Sequence, residues 1–85
     1  MYDVIILPEA ERDLARLDRP MQKRIRERLK WVGEHFEEIR PEALKGEFAA
    51  YYKIRIGDYR AIYQFDHTLQ TITVFNIQHR REVYD

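Results

Sequence analysis

Apolar residues follow two different periods along the chain, and the change of period divides it into a helical part and a sheet part. Residues 2–7 are apolar except for Asp3 and include three β-branched residues, which predicts a strand that ends at Pro8. From Pro8 the apolar positions recur every three or four residues, as on one face of a helix. Asp18 and Pro20 interrupt this pattern as an N-cap and a first-turn proline would. The pattern therefore predicts two helices joined by a short turn, the second ending at or before Pro41.

In the second half of the chain the apolar period is two, as in strands with one buried face. Residues 51–56 and 59–65 alternate in this way on either side of Gly57 and Asp58. A two-residue loop that begins with glycine suits a type II′ hairpin turn. A β-branched strand at residues 71–78 follows after a second turn. The predicted order is β-α-α-β-β-β, an α+β fold in which a helical hairpin packs on one face of a mostly antiparallel sheet.

Length and composition limit the class of protein. The 85 residues are 45% hydrophobic and 35% charged, which indicates a single folded domain spanning residues 1–85. Fifteen basic and fifteen acidic residues give a formal net charge of zero, so a broadly basic nucleic-acid coat protein is not indicated. The longest aliphatic run near the N-terminus, residues 4–7, is too short for a membrane span or a signal sequence. We therefore expect a cytoplasmic protein that contacts no membrane.

Composition also excludes several kinds of catalytic site. The chain has no cysteine and no serine, so it offers neither a thiol nor a serine nucleophile. Its three glycines stand apart and form no phosphate-binding loop, and no set of histidine and acidic residues has metal-ligand spacing. We therefore expect no metal and no cofactor. A domain this small without disulfides often gains stability from a partner, so we expect one.

The register of the predicted hairpin brings three basic side chains together. With Gly57 and Asp58 as the loop, Arg55 lies opposite Arg60, and Lys53 projects from the same face. Like charges opposite one another destabilise a sheet, so this basic cluster of Lys53, Arg55 and Arg60 indicates an anion site. Phosphate suits the donor fork of arginine. The ordinary alternative is a solvated strand face. The opposite face predicts the core: Tyr52, Ile54, Ile56, Tyr59, Ala61 and Tyr63.

A second basic stretch occupies residues 23–30 of the second predicted helix. Its apolar residues keep core spacing, so the stretch chiefly predicts an exposed helix face, with contact to nucleic acid as the lesser alternative.

The C-terminal residues add groups that can move protons or bind RNA. The last strand should return beside the hairpin and bring residues 79–85 toward the basic cluster. His79 has an imidazole that can accept and donate protons. Tyr84 can stack on a base or share its hydroxyl. Arg80 and Arg81 add positive charge.

Four segments, in this order, resemble the RelE/ParE toxins of bacterial and archaeal toxin–antitoxin pairs: residues 44–46 (Leu-Lys-Gly), 52–55 (Tyr-Lys-Ile-Arg), 57–63 (Gly-Asp-Tyr-Arg-Ala-Ile-Tyr) and 79–84 (His-Arg-Arg-Glu-Val-Tyr). The resemblance covers nearly the whole chain. It implies a RelE-like fold, similar to that of small microbial ribonucleases. For the RelE branch it implies a ribosome-dependent endoribonuclease that cuts mRNA in the A site and inhibits translation. It also implies a cognate antitoxin, through which alone the toxin would reach operator DNA.

The resemblance assigns catalytic roles to Lys53, Arg55, Arg60, His79, Arg80 and Tyr84. Lysine is frequent among relatives at the position of Arg55, and the tail that carries Arg80 is shorter here. Lys45 and Arg81 are expected to bind RNA.

The chemistry that the resemblance implies agrees with the basic cluster. The ribose 2′-hydroxyl attacks the adjacent phosphate, and the transition state gains negative charge. We expect the arginines of the basic cluster to stabilise this charge, with support from Arg80. His79, Lys53 and Tyr84 are candidates for the proton transfers, and their individual roles stay open.

Two alternatives stay open. A ParE-like inhibitor of DNA gyrase would share the fold and the antitoxin but would bind a topoisomerase without cutting RNA; that branch tends to lack the basic residues retained here. A degenerate toxin would serve only as an antitoxin-binding partner or co-repressor, and its basic cluster would bind phosphate without turnover.

Overall fold

Two helices pack on one face of a five-stranded sheet in the computed structural model, which describes residues 1–82. The elements are β1 (Asp3–Ile6), α1 (Pro8–Ala15), α2 (Arg19–Glu34), β2 (Glu42–Ala43), β3 (Tyr52–Ile56), β4 (Tyr59–Asp66) and β5 (Thr71–His79). Short 3₁₀ turns lie at Phe36–Glu38, Gly46–Phe48 and Arg80–Glu82. The predicted α+β fold is confirmed, with the two-residue strand β2 as an addition.

The strands lie in the order β1-β5-β4-β3-β2. β1 runs parallel to β5, and the other neighbouring strands pair antiparallel. The parallel pair requires a crossover from β1 to the far end of the chain, and the two helices lie within that connection. The predicted mostly antiparallel sheet is therefore confirmed.

The helices begin where proline and capping residues predict. Pro8 occupies the first turn of α1, and the Asp18 carboxylate accepts a hydrogen bond from the Met21 N–H at 2.9 Å to cap α2. α2 ends at Glu34, several residues before Pro41. Near this end the Gly33 carbonyl accepts a hydrogen bond from the Tyr2 N–H at 2.8 Å, which joins the helix to the residue before β1. In residues 1–82, no helix is long and apolar enough to cross a bilayer.

The hydrophobic core lies between the helices and the sheet. Its largest fully buried side chains are Tyr63, Leu14, Ile25, Ile72, Val32 and Val74. Ile56, Ala61 and Tyr63 of the hairpin are buried there, and Tyr52, Ile54 and Tyr59 pack against them half-buried, which confirms the predicted core face.

A β-bulge in β5 changes which side chains face the helices. Ile62 pairs with Asn76, but Tyr63 pairs with Val74, so Phe75 has no direct partner on β4. One extra residue moves every later side chain of a strand to the other face. Ile77 therefore returns to the core, and the remainder of β5 keeps this inverted alternation.

The face of the sheet away from the helices is partly covered. Ile62, expected on this face, is only 6% exposed. The Gln64 amide donates to the Ala50 carbonyl at 3.4 Å, and the Tyr51 ring meets Phe75 edge-on at 5.2 Å between ring centroids. The segment before β3 thus folds over part of this outer face. The part of the face that stays accessible lies near the β3–β4 turn.

Candidate functional site

The outer face carries the basic cluster in the predicted register. Arg55 pairs directly with Arg60 across β3 and β4, and Lys53 pairs with Ile62. The turn between the strands has Gly57 at φ 60°, in the left-handed region that a type II′ turn requires at its first position. Directly opposite residues share a face of the sheet, so Arg55 and Arg60 project from the same side. The structure therefore brings together the three cations that the sequence placed there.

Lys53 has a carboxylate beside it that sequence reasoning did not locate. β2 pairs Glu42 with Lys53, and the Glu42 Oε1 lies 3.7 Å from the Lys53 Nζ. The Lys53 side chain is 15% exposed, whereas that of Glu42 is 71% exposed. Glu42 thus offsets part of the positive charge while remaining on the solvent side of Lys53. A strand of two residues is too short to show an apolar period, so no sequence pattern indicated this pairing.

Two amides of β5 line the same face next to the basic cluster. Gln78 pairs with Arg60, and Asn76 pairs with Ile62, which separates it from Lys53 by a single strand. The Asn76 Oδ1 is buried and has no hydrogen-bond partner among the residues that the structure describes. Sequence reasoning missed both residues because their orientation depends on the bulge at Phe75.

Arg80 lies at the β3–β4 turn, which confirms that the last strand returns beside the hairpin. Its N–H donates to the Asp58 carbonyl at 2.8 Å, and its Nε lies 3.9 Å from the Asp58 Oδ1. The Arg80 side chain is exposed. Arg80 thus reaches the end of the hairpin that carries Arg55 and Arg60.

His79 lies on the face opposite to the basic cluster. It pairs with Tyr59, whose ring it meets at 5.1 Å and 90°, and Tyr59 packs against the core. Without the bulge at Phe75, His79 would alternate onto the outer face. The His79 Nδ1 accepts a hydrogen bond from the Arg81 N–H at 3.2 Å. The sequence predicted that His79 lies with the cations, but the structure places its ring on the opposite face of the sheet.

The remaining predicted residues lie away from the three cations or outside the described range. Lys45 is exposed beyond the β2–β3 pairing, on the side away from the Gly57 turn. Arg81 is exposed directly after Arg80. Tyr84 lies outside the described residues. Within residues 1–82, no group of three or more histidine and acidic side chains is placed to hold a metal ion.

Family comparison extends over nearly the whole chain. The family described as "ParE toxin of type II toxin-antitoxin system, parDE" matches residues 4–84. A search of curated proteins found no match.

Solved structures share the fold. A chain of the toxin–antitoxin complex RelBE2 from Mycobacterium tuberculosis has a TM-score of 0.83 and 25% identity, with 93% of this chain and 98% of that chain covered. A chain of the archaeal RelE–RelB complex from Pyrococcus horikoshii has a TM-score of 0.71 and 21% identity, with 96% of this chain and 98% of that chain covered. The isolated E. coli RelE toxin has a TM-score of 0.73 and 21% identity, with 93% of this chain and 84% of that chain covered. The chain therefore belongs to the RelE/ParE superfamily, the toxins of type II toxin–antitoxin systems.

Proposed function

We propose that this toxin is a ribosome-dependent endoribonuclease that cuts mRNA in the A site and so inhibits translation. The observation that carries the proposal is the basic cluster on the outer face, with Arg55 directly opposite Arg60 and Lys53 beside them. Like charges directly opposite one another on a sheet repel, and an anionic ligand bound between the two arginines would offset this repulsion. The phosphate of an RNA strand is the ligand that suits these donors.

The proposed reaction needs no metal ion. The 2′-hydroxyl of one nucleotide loses its proton to a general base and attacks the adjacent phosphorus. The bond to the 5′-oxygen breaks, that oxygen takes up a proton from a general acid, and a cyclic phosphate remains. Arg55 and Arg60 stabilise the negative charge that develops on the phosphate oxygens, and Arg80 supports them from the end of the hairpin. Removal of one such donor typically costs about 10²–10³ in rate.

The proton transfers fall to Lys53 and Tyr84 in this proposal. Lys53 lies on the same face as Arg55 and can donate a proton to the leaving 5′-oxygen, a contribution of about 10²–10⁴ in rate. His79 is left out because its ring lies on the other face. Its contact with Tyr59 instead supports the packing of the last strand.

The proposed partners are a cognate antitoxin, the ribosome and mRNA. RelBE2 and the P. horikoshii RelE–RelB protein are solved as toxin–antitoxin complexes, which supports an antitoxin here. The formal net charge of zero gives the toxin little general attraction for free RNA, so presentation of the substrate by the ribosome fits this chain. Any contact with operator DNA is proposed to pass through the antitoxin.

Inhibition of DNA gyrase is the second candidate function. It is favoured by the match of residues 4–84 to the ParE toxin family. In that case the basic cluster would contact the topoisomerase, and no RNA would be cut.

Primer extension on a defined mRNA in a translating extract tests the proposal. We expect cuts within codons that require ribosomes, and we expect Arg60→Gln to reduce cutting by about 10²–10³. Arg16→Gln removes an exposed arginine of the α1 C-terminus and is the matched control, with cutting unchanged.

A gyrase supercoiling assay with the same proteins separates the alternatives. Gyrase inhibition without RNA cutting would replace the proposed function by the ParE-like one. A protein that does neither, yet still binds its antitoxin, would be an inactive binding partner. Cutting that continues fully in a folded Arg60→Gln protein would contradict the assignment of the basic cluster.

A further inference from the structure

A second basic site lies where α2 meets the β3–β4 turn. It is an open cleft of about 530 Å³, lined by Arg24, Glu27, Arg28, Trp31, Arg55, Ile56 and Gly57. Three arginines and one glutamate give this lining an excess of two positive charges, in a chain whose formal net charge is zero. The exposed helix face predicted for residues 23–30 therefore contributes to a concave site and is not only a solvated surface.

Trp31 and His35 hold one arginine of the cleft in place. The Arg28 Cζ lies 4.5 Å from the centroid of the Trp31 ring, and the His35 ring stacks on the same indole at 4.4 Å and 19°. His35 is itself fixed, since its Nδ1 lies 2.9 Å from the Trp31 carbonyl oxygen. A guanidinium that lies over an aromatic ring contacts it through its flat face. Its N–H groups point outward in the plane of the guanidinium, where they can donate to an anion.

Gly57 gives a second arginine its position. A Cβ atom at this residue would lie 3.0 Å from the Arg24 Nη1 and 3.3 Å from its Cζ, so the guanidinium packs directly on the turn. Arg24 thereby crosses from α2 to the hairpin. Two arginines of one helix are thus held toward the strand that carries Arg55.

The arginines of the cleft have few competing carboxylates. Among residues 1–82, no side-chain hydrogen bond or ion pair joins Arg24, Arg28 or Arg55 to an acidic residue. Glu27, the acidic residue of the lining, has its Oε1 3.9 Å from the Lys23 Nζ. Three arginines that make no carboxylate contact within the described residues, two of them positioned by packing, form a preorganised anion site.

We propose that this cleft binds a backbone phosphate of the RNA strand whose scissile phosphate lies on the basic cluster. Arg55 belongs to both sites, since it faces Arg60 on the sheet and also lines the cleft. A polynucleotide carries a phosphate at every residue, so a strand that crosses the basic cluster presents a further phosphate to the cleft. This inference rests on the proposed ribonuclease function and extends its substrate path around the edge of β3.

An acidic segment of the antitoxin is the competing occupant. It would need carboxylates spaced to meet both the cleft and the shared Arg55, whereas the regular charge of RNA meets this condition in any sequence. The planar fork of arginine also matches phosphate oxygens in pairs. The geometry therefore favours RNA.

Salt-dependent binding of RNA to the purified toxin tests the cleft. The probe is a fluorescein-labelled single-stranded RNA of about ten nucleotides, which covers a typical single-strand site, with 2′-O-methyl groups to prevent cleavage. Anisotropy titrations between about 50 and 200 mM salt give the slope of log K against log salt. We expect Arg24→Gln with Arg28→Gln to make this slope shallower by about 0.7, the value for one phosphate contact on a single strand.

Arg19→Gln with Lys30→Gln is the matched control, since it removes two exposed cations of α2 that do not line the cleft. We expect this control to keep the slope of the wild type. An unchanged slope in the cleft variant, beside a shallower slope in Arg60→Gln, would overturn the proposal. A wild-type slope near zero would overturn it as well.

Titration with the cognate antitoxin separates the competing occupant. Weaker antitoxin binding by the cleft variant, with an unchanged RNA slope, would assign the cleft to an acidic peptide and overturn the RNA proposal. Failure of the proposed function has a different signature: wild-type toxin that cuts no mRNA in the translating extract. In the translating extract, we expect the cleft variant to cut less mRNA than the wild type when mRNA is limiting. Its cutting rate should approach the wild-type rate as the mRNA concentration is raised.

Discussion

Lys53 illustrates, at the scale of single residues, how a fold can carry clustered positive charge. The Glu42 carboxylate lies 3.7 Å from its ammonium and opposes the charge of the neighbouring arginines. Glu42 is mostly exposed, and exposed ion pairs contribute only about 0–1 kcal/mol. The pair therefore lessens the repulsion without closing the site, so an incoming phosphate can compete for Lys53.

Tyr63 is the buried ionisable residue beneath this surface. It is 2% exposed, and burial raises the pKa of its hydroxyl to about 12, with smaller contributions from Tyr52 and Glu42. A tyrosine in the unfolded chain ionises near pH 10. Between about pH 10 and 12 the unfolded state therefore loses this proton while the folded state keeps it, so the free energy of unfolding falls as the pH rises.

Tyr63→Phe should reduce this alkaline loss of stability. Phenylalanine has no proton to lose, so the variant should retain more of its neutral-pH stability near pH 11 than the wild type does. Urea unfolding at several pH values measures the effect, and Tyr51→Phe, at a half-buried ring near the sheet edge, is the control. Equal alkaline losses in Tyr63→Phe and the wild type would show that Tyr63 does not govern the effect.

Asp13 shows, at the scale of elements, how α1 is joined to the sheet. Its Oδ2 accepts a hydrogen bond from the Ile77 N–H at 2.8 Å. β1 pairs with β5 only as far as Val74, so this N–H lies on an edge of β5 that no strand of the described residues covers. The carboxylate takes the place of a strand partner and holds β5 beyond its bulge.

Asp13→Ala should destabilise the protein by about 1–3 kcal/mol, because it leaves the half-buried Ile77 N–H without an acceptor. Asp13→Asn keeps an oxygen acceptor of the same reach and should lose less. Thermal unfolding of both variants measures the difference. If Asn and Ala prove equally destabilising, charge and not the hydrogen bond would be the contribution of Asp13.

The elements also show which parts of the site a sequence can predict. The pairing of Arg55 with Arg60 follows from a two-residue loop, a local feature that fixes the register of both strands. The bulge at Phe75 has no comparable signal, and it places His79 on the face of the helices and Gln78 on the outer face. Glu42 and the Arg24 cleft depend on contacts between distant segments, which periodicity does not encode.

In the whole molecule, the residues that stabilise the fold and the residues of the proposed site lie in different layers. The helices and one face of the sheet enclose the core, while the basic cluster occupies the other face. At one edge of the molecule, α2 and the β3–β4 hairpin meet at the cleft lined by Arg24 and Arg55. At this cleft the helix layer contributes side chains to the proposed RNA path. Variants of the outer face should therefore change activity with little effect on folding, whereas variants between the layers should do the reverse.

At Gly33, near the end of α2, the helix lies close against the start of the chain and β1. A Cβ atom there would lie 2.7 Å from the Tyr2 carbonyl oxygen and 2.8 Å from the Val4 Cγ2. The first of these atoms belongs to the backbone, which cannot turn aside as a side chain can. The end of α2 would have to move away from β1, and the hydrogen bond from the Tyr2 N–H to the Gly33 carbonyl would lengthen or break.

Gly33→Ala should therefore destabilise the protein by about 1–3 kcal/mol, the usual cost of overpacking. Helix propensity alone predicts the opposite sign, since alanine stabilises a helix interior by about 1 kcal/mol relative to glycine. Glu34→Ala, at the exposed neighbouring position, controls for changes at the helix end. A Gly33→Ala protein that melts at or above the wild-type temperature would show that the layers can separate at this point without loss, and that the contact between α2 and β1 does not limit stability.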